Sequence, residues 1–226
     1  MIPRTPFARD GQLPTIVTPL RSIPYNTAVE PPSTSAPVMF EPPGELTGGR
    51  KEVWVAAAGG EHWGGCEVWA SVNDESYDRI GIIETRAALG VLSEPLVAGS
   101  DPDRQGSCVV ALLGGELHPG NQHDADLYVT ASRIGEELIA YTAARLTGPG
   151  VYTLDGYLRR GLFGTPIVSH AAGEPFVRLN GAMFRTEIPP HFAGHTVYVK
   201  LPAFNEFRGM VQTLDRVQSY SLTLAT

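Results

Sequence analysis

Glu52-Val-Trp-Val-Ala-Ala-Ala58, Gly59-Gly60, Cys66-Glu-Val-Trp-Ala-Ser-Val72 and Tyr77-Asp-Arg-Ile-Gly-Ile-Ile83 form the stretch that decides the fold class. Each of the three longer runs mixes β-branched and aromatic residues with period-two alternation, the pattern of a strand with two distinct faces. The glycine pair supplies the first turn, and Asn73-Asp-Glu-Ser76 supplies the second. A three-stranded antiparallel meander is the direct reading.

Working outward, the same style continues in both directions. Strands are expected at residues 86–91 and 108–113, separated by the loop Ala98-Gly-Ser-Asp-Pro-Asp-Arg-Gln-Gly106. Further strands are expected at 127–133, 137–146, 151–159, 176–179, 182–188, 195–201 and 219–224, with Gly135-Glu136 and Thr147-Gly-Pro-Gly150 as turns. Residues 136–145 also have helical propensity, but their β-rich neighbours favour a strand. Strands recurring about every ten residues point to sandwiches or barrels. The fold class expected is mainly β: one or two antiparallel β-sandwich or barrel-like domains behind an extended Pro-rich N-terminal arm. The arm is residues 1–45, with β domains at 46–122 and 123–226, two stretches that could also join as one unit.

Composition agrees. Of the 19 prolines, ten fall in the arm, from Pro3 to Pro43. Each fixes its own φ and pushes its predecessor towards extended geometry, so a packed helix or central strand is not expected there. Ile16, Val17, Leu20, Ile23, Val38, Met39 and Phe40 give the arm an apolar content suited to leaning on a neighbouring surface. The net charge of −7 offers no basic field for nucleic acid or anionic membrane. No apolar run approaches the roughly 18 residues of a membrane helix, and no secretory signal is visible in the first residues. Cys66 and Cys108 are the two cysteines, too few for a disulfide framework and unlike any zinc motif. Both are expected to be reduced, buried small residues in a chain that folds in a cytoplasm.

A search for chemistry finds little. His118-Pro-Gly-Asn-Gln-His123-Asp124-Ala-Asp126 is the densest cluster of metal-type ligands, but it has neither HExxH nor EF-hand spacing and reads as a solvated turn between strands. Asp101-Pro-Asp103-Arg104 and the pair His191 and His195, set among prolines and Gly194, read as structural loops. Glu136-Glu137 would point to opposite faces of a strand and cannot flank one bond. No nucleophile elbow, phosphate loop or dinucleotide fingerprint occurs. No catalytic, cofactor-binding or metal residue is assigned. Among the tryptophans, Trp54 and Trp69 read as packing residues. Trp63, in Gly60-Glu-His-Trp-Gly-Gly65, is the candidate exposed aromatic, with His62 beside it as a second candidate surface contact.

Four ordered pieces carry a resemblance. Gly135-Glu-Glu-Leu-Ile-Ala-Tyr141 followed by Val151-Tyr-Thr-Leu-Asp-Gly-Tyr-Leu-Arg-Arg-Gly-Leu-Phe-Gly-Thr165 is similar to a "GELI.Y" strand and a strand ending in "LxRGxxGT". Trp63-Gly-Gly-Cys-Glu-Val-Trp-Ala-Ser71 with Tyr77-Asp-Arg-Ile-Gly81 is similar to "GG..VWVS.D...Y..IG". Leu89-Gly-Val-Leu-Ser-Glu-Pro-Leu-Val-Ala-Gly99 resembles "G.L...LPAG", and Tyr198-Val-Lys-Leu-Pro-Ala-Phe-Asn205 resembles "Y.K.P.FN.FG", with Arg208 departing between Phe207 and Gly209. From about residue 37 onward the chain thus resembles the C-terminal region of the large tail-tip, or baseplate hub, proteins of long-tailed phages and gene transfer agents.

The resemblance implies a structural protein of the virion tail tip, made and assembled in the host cytoplasm. It implies a homotrimer that contacts other baseplate proteins and a host-surface receptor or glycan, and it carries over no catalytic residue. The alternative is a glycan-binding β-sandwich module that docks host polysaccharide through Trp63. A hydrolase acting on the cell envelope is the weaker third reading.

Overall fold

The computed structural model describes residues 30–207 and 209–226, so Ile16, Val17, Leu20 and Ile23 of the arm lie outside the described residues. In chain order the strands are β1 (Val38–Phe40), β2 (Glu52–Ala56), β3 (Trp63–Ser71), β4 (Asp78–Ile83), β5 (Leu89–Leu92), β6 (Cys108–Gly114), β7 (Ser132–Ile134), β8 (Glu137–Gly148), β9 (Val151–Arg159), β10 (Pro175–Arg178), β11 (Phe184–Glu187), β12 (Thr196–Lys200), β13 (Ala203–Asn205) and β14 (Ser219–Thr223). Two short helices, α1 (Gly44–Thr47) and α2 (Gln122–Asp126), accompany them. The protein is mainly β, and its strand pairings are antiparallel.

The middle of the chain closes on itself. Strands β10-β5-β6-β9-β8-β7 form a closed barrel, which leaves no free edge among them. Alternation explains the filling: Leu154 and Leu158 of β9, Ile139 and Tyr141 of β8, and Val110 of β6 all point into one core, with Phe176 of β10. Full burial of each leucine contributes about 1.5–3 kcal/mol. The two-residue link Pro149-Gly150 lets β8 turn directly into β9, with Gly150 at φ 68°.

The two ends of the chain build the second unit. The sheet β1-β2-β11 stacks against a five-stranded sheet in which β3 pairs with β4 on one side and with β12 and β13 on the other, while β14 pairs with β12. Val53 and Val55 of β2 meet Val68 of β3 and Val199 of β12 between the two sheets, as in a sandwich. The other face of β2 turns Trp54 and Ala56 towards Leu89 and Val177 of the barrel. The sandwich and the barrel therefore share the three-stranded sheet as a common wall.

Several expectations need correction. A division at 122/123 cuts through the barrel; the observed units are the barrel at residues 89–178 and a sandwich made from both flanks. Proline-rich sequence at 38–47 forms β1, an edge strand whose Val38 and Phe40 are buried, followed by α1. Edge strands tolerate the proline-dense surroundings that central strands do not. Residues 127–130 are a turn and not a strand: Leu127 and Val129 are exposed, Tyr128 sits at φ 60°, and pairing begins only at Ser132. The 118–126 cluster is not a plain turn. Asn121 Oδ1 accepts from Asp124 N at 3.0 Å while Asp124 Oδ2 accepts from Asn121 N at 2.9 Å, a reciprocal cap that starts α2.

Candidate functional site

The candidate contact at Trp63 is overturned. Its side chain is 3% exposed, it opens β3, and its indole Nε1 donates to Thr34 Oγ1 at 3.2 Å. The turn ends at His62, and the glycines that mislead are Gly64 and Gly65, which lie in β3 and mark close approach. A Cβ on Gly64 would lie 2.5 Å from Asn205 O of β13, and one on Gly59 would lie 2.2 Å from the Trp63 ring. His62 does sit in the turn, at φ 61°, with its Nδ1 2.6 Å from Glu206 Oε1. Trp54 is buried, as expected, and donates to Glu52 Oε2 at 2.8 Å.

The densest polar constellation was not anticipated and lies at one end of the barrel. Glu137, the first residue of β8, and Arg160, just past β9, both have side chains at 0% exposure. Arg160 meets the carboxylate as a two-pronged fork, Nε to Oε1 at 2.6 Å and Nη2 to Oε2 at 2.9 Å. Its remaining donors reach Val97 O and Val168 O at 3.2 and 3.1 Å. Gly161 N and Val168 N also donate to Glu137, and His170 Nε2 lies 2.9 Å from Oε2. The other ring nitrogen of His170 lies 2.7 Å from Glu174 Oε2. Gly161 adopts φ 59° to bring its N–H in, a conformation that glycine takes without strain.

Burial alone would push the Glu137 carboxyl up, but Arg160 and His170 outweigh it and hold it below the ordinary glutamate range. Glu174 is held low by His170 and by the Ala171 N–H. A second layer rings the first. Arg159, on the opposite face from Arg160, donates to Asp101 Oδ1 at 2.8 Å and to Asp126 Oδ1 at 2.8 Å, and Tyr157 OH donates to the same Asp126 oxygen at 2.8 Å. Asp101 also accepts from Arg160 N at 3.0 Å, and Asp103 is locked by paired backbone bonds to Leu158 at 2.8 Å. The 98–106 loop is therefore a strap across the barrel end. With five donors or ring contacts on it, the sealed Glu137 carboxylate is fully engaged, and its chemistry is cross-bracing.

A signal for this cluster was present in the sequence. Glu137 shares the inward parity of Ile139 and Tyr141, and Arg160 that of Leu154 and Leu158. A charge on an apolar stripe demands a buried partner, and each of these two supplies the other. Glu136, its neighbour, is 86% exposed at the side chain, in the turn before β8, so the two glutamates part because a turn and not a strand face holds Glu136.

The second polar constellation is open. The outward residues of the five-stranded sheet include Glu67 and Trp69 of β3, Arg79 of β4, and Tyr198 and Lys200 of β12. Trp69 Nε1 donates to Glu67 Oε2 at 2.8 Å, and Arg79 Nε pairs with Glu67 Oε1 at 3.1 Å. Tyr77, from the preceding loop, bonds through its hydroxyl to Asp74 and lies 2.9 Å from Ser219 Oγ. The hydroxyls of Ser219 and Tyr77 hold the Asp74 carboxyl below its usual range.

Cys66 and Cys108 are free and buried, and burial pushes both thiols up to about 12. Among the described residues, no group of three or more His, Cys, Asp or Glu side chains is placed to hold a metal. His191 lies within the 3-10 turn Pro190–Phe192, and His195 follows it three residues later. No helix among the described residues is long and apolar enough to cross a membrane.

Fold and braces together define a barrel carried on a split sandwich. A family model described as Rcc01698-like, C-terminal, matches residues 87–177, less than half of the chain. Those residues hold the barrel strands and the whole Glu137–Arg160–His170 cluster. No curated protein matches the chain.

Proposed function

We propose that the chain is a structural component of a phage or phage-like tail tip, part of the baseplate hub, present as a homotrimer and assembled against other baseplate proteins. The observation that carries this reading is spatial. The four pieces of sequence that resemble hub proteins meet two by two in the fold. Residues 63–81 hold β3 and the start of β4, and β3 pairs directly with residues 198–200 of β12 and with β13. Residues 135–165 supply Glu137, Arg160 and Gly161, and Arg160 reaches back to Val97 within 89–99. Motif residues that brace one another, and that expose no reactive centre, suit a region whose work is assembly. Host-surface attachment is part of the same proposal.

Immunogold labelling and quantitative mass spectrometry of particles from the encoding strain test it. The expected result is label at the tail tip with three copies per tip. Particles that lack the chain overturn the reading, and a different stoichiometry overturns the trimer.

A further inference from the structure

The five-stranded sheet has one face in the sandwich core; the other is partly exposed, with Tyr77 of the 73–77 loop over Lys200 and Ser219, and Leu214 O accepting from Lys200 Nζ at 3.1 Å. Register defines the open face. Arg79, Trp69, Lys200 and Ser219 are lateral neighbours across β4, β3, β12 and β14, and Ser71, Tyr198 and Ser221 form the next row. Their alternates Val68, Val199 and Leu222 point into the core. Trp69 and Tyr198 are thus diagonal neighbours, about 7–8 Å apart at the backbone. Lys200 Nζ lies 4.8 Å from the Tyr77 ring centroid, so Tyr77 leans over the same row. The result is three half-buried aromatic rings interleaved with hydroxyls, two carboxylates and two cations.

Charge selects the occupant. Glu67 and Arg79 pair at 3.1 Å, and Asp74 and Lys200 flank Tyr77 from either side, so the charges on the face cancel. A phosphate-rich or acidic polymer finds no net field here. A pyranose ring does find complements: its C–H face matches an aromatic ring, and its hydroxyls match fixed donors and acceptors at the ring's edge. Trp69, already held by its bond to Glu67, loses little freedom on binding. We propose that this face binds a neutral oligosaccharide chain, with Trp69 and Tyr198 as stacking residues and Glu67, Lys200 and Ser221 as hydroxyl partners. This is a different surface from Trp63, and it does not depend on the tail-tip reading, since sugar binding and incorporation into particles are measured separately.

The test uses the intact chain and tryptophan fluorescence. Trp54 and Trp63 are 2% and 3% exposed, so a change in emission on titration reports Trp69. Maltohexaose, cellohexaose and chitohexaose are the neutral probes, and a hyaluronan hexasaccharide is the acidic one. The expected result is saturable binding of at least one neutral probe, weakened by about tenfold or more in Tyr198→Ala by fluorescence and in Trp69→Ala by calorimetry, since that variant lacks the reporter. Trp69→Phe should keep part of the affinity, followed by calorimetry, and stands in should Trp69→Ala fail to fold. No binding of any neutral probe at millimolar concentration overturns the proposal. So does equal or tighter binding of the acidic probe, or affinity unchanged in Tyr198→Ala.

Discussion

The barrel end and the open sheet face are built from the same materials: carboxylates, cations, hydroxyls and aromatic rings. They differ in what is left over. In the barrel, Arg160 spends its fork on Glu137 and its other donors on two carbonyls, with no exposed side-chain surface. On the sheet, the Arg79 side chain is 48% exposed, and Trp69 is half-buried with its indole N–H bonded to Glu67. A saturated, dry cluster braces the fold. An ordered but unsaturated one has capacity for a ligand.

The sharpest way to break this comparison is to remove half of the brace. Arg160→Met leaves Glu137 buried and uncompensated, and should cost about 3–5 kcal/mol in chemical denaturation. The double variant Glu137→Leu with Arg160→Met should recover most of that loss, because no orphan charge remains. A single variant within experimental error of the parent would show that the cluster braces nothing.

Two tryptophans extend the contrast to the sandwich. Trp63→Ala empties a core position and should cost about 3–5 kcal/mol. Trp69→Ala, on the open face, should cost about 1 kcal/mol or less. Equal costs in thermal unfolding would put Trp69 in the core and remove the open face.

Acid should act on the brace. Glu137 and Glu174 have folded-state values below the ordinary one. Their contribution is therefore complete above the unfolded glutamate pKa of about 4.3 and is lost as pH falls through the folded values. The melting temperature should stay level from neutrality to about pH 5 and drop below about pH 4, with a shallower drop in Glu137→Gln. A loss confined to alkaline pH would contradict the sign.

The smallest effect belongs to α2. Asn121→Ala removes the reciprocal cap and should cost about 1 kcal/mol. It should leave both the Glu137 cluster and sugar binding intact, a useful control for each.

Much of the strand pattern was legible because alternation is a local signal. β8 and β9 appear where residues 137–146 and 151–159 place them, while Glu136 lies exposed in the turn before β8 and Glu137 is buried at its start. Residues 127–133 misled because Leu127 and Val129 mimic a strand's alternation while lying on an exposed turn. Trp63 misled for the opposite reason: Gly64 and Gly65 look like a turn, yet they sit inside β3 to make room for β13.

What the sequence determined by itself was the β class, several of the turns, and which residues share a strand face, since each depends on neighbours a few positions apart. The expected meander did not form, because β2 pairs with β1 and β11 and not with β3. Tertiary structure alone decided that residues 89–178 close into a barrel and that the flanks meet as a sandwich. It alone brought Glu137 to Arg160 and set Trp69 between Arg79 and Lys200. Those pairings join residues far apart in the chain, and only long-range register and burial specify them.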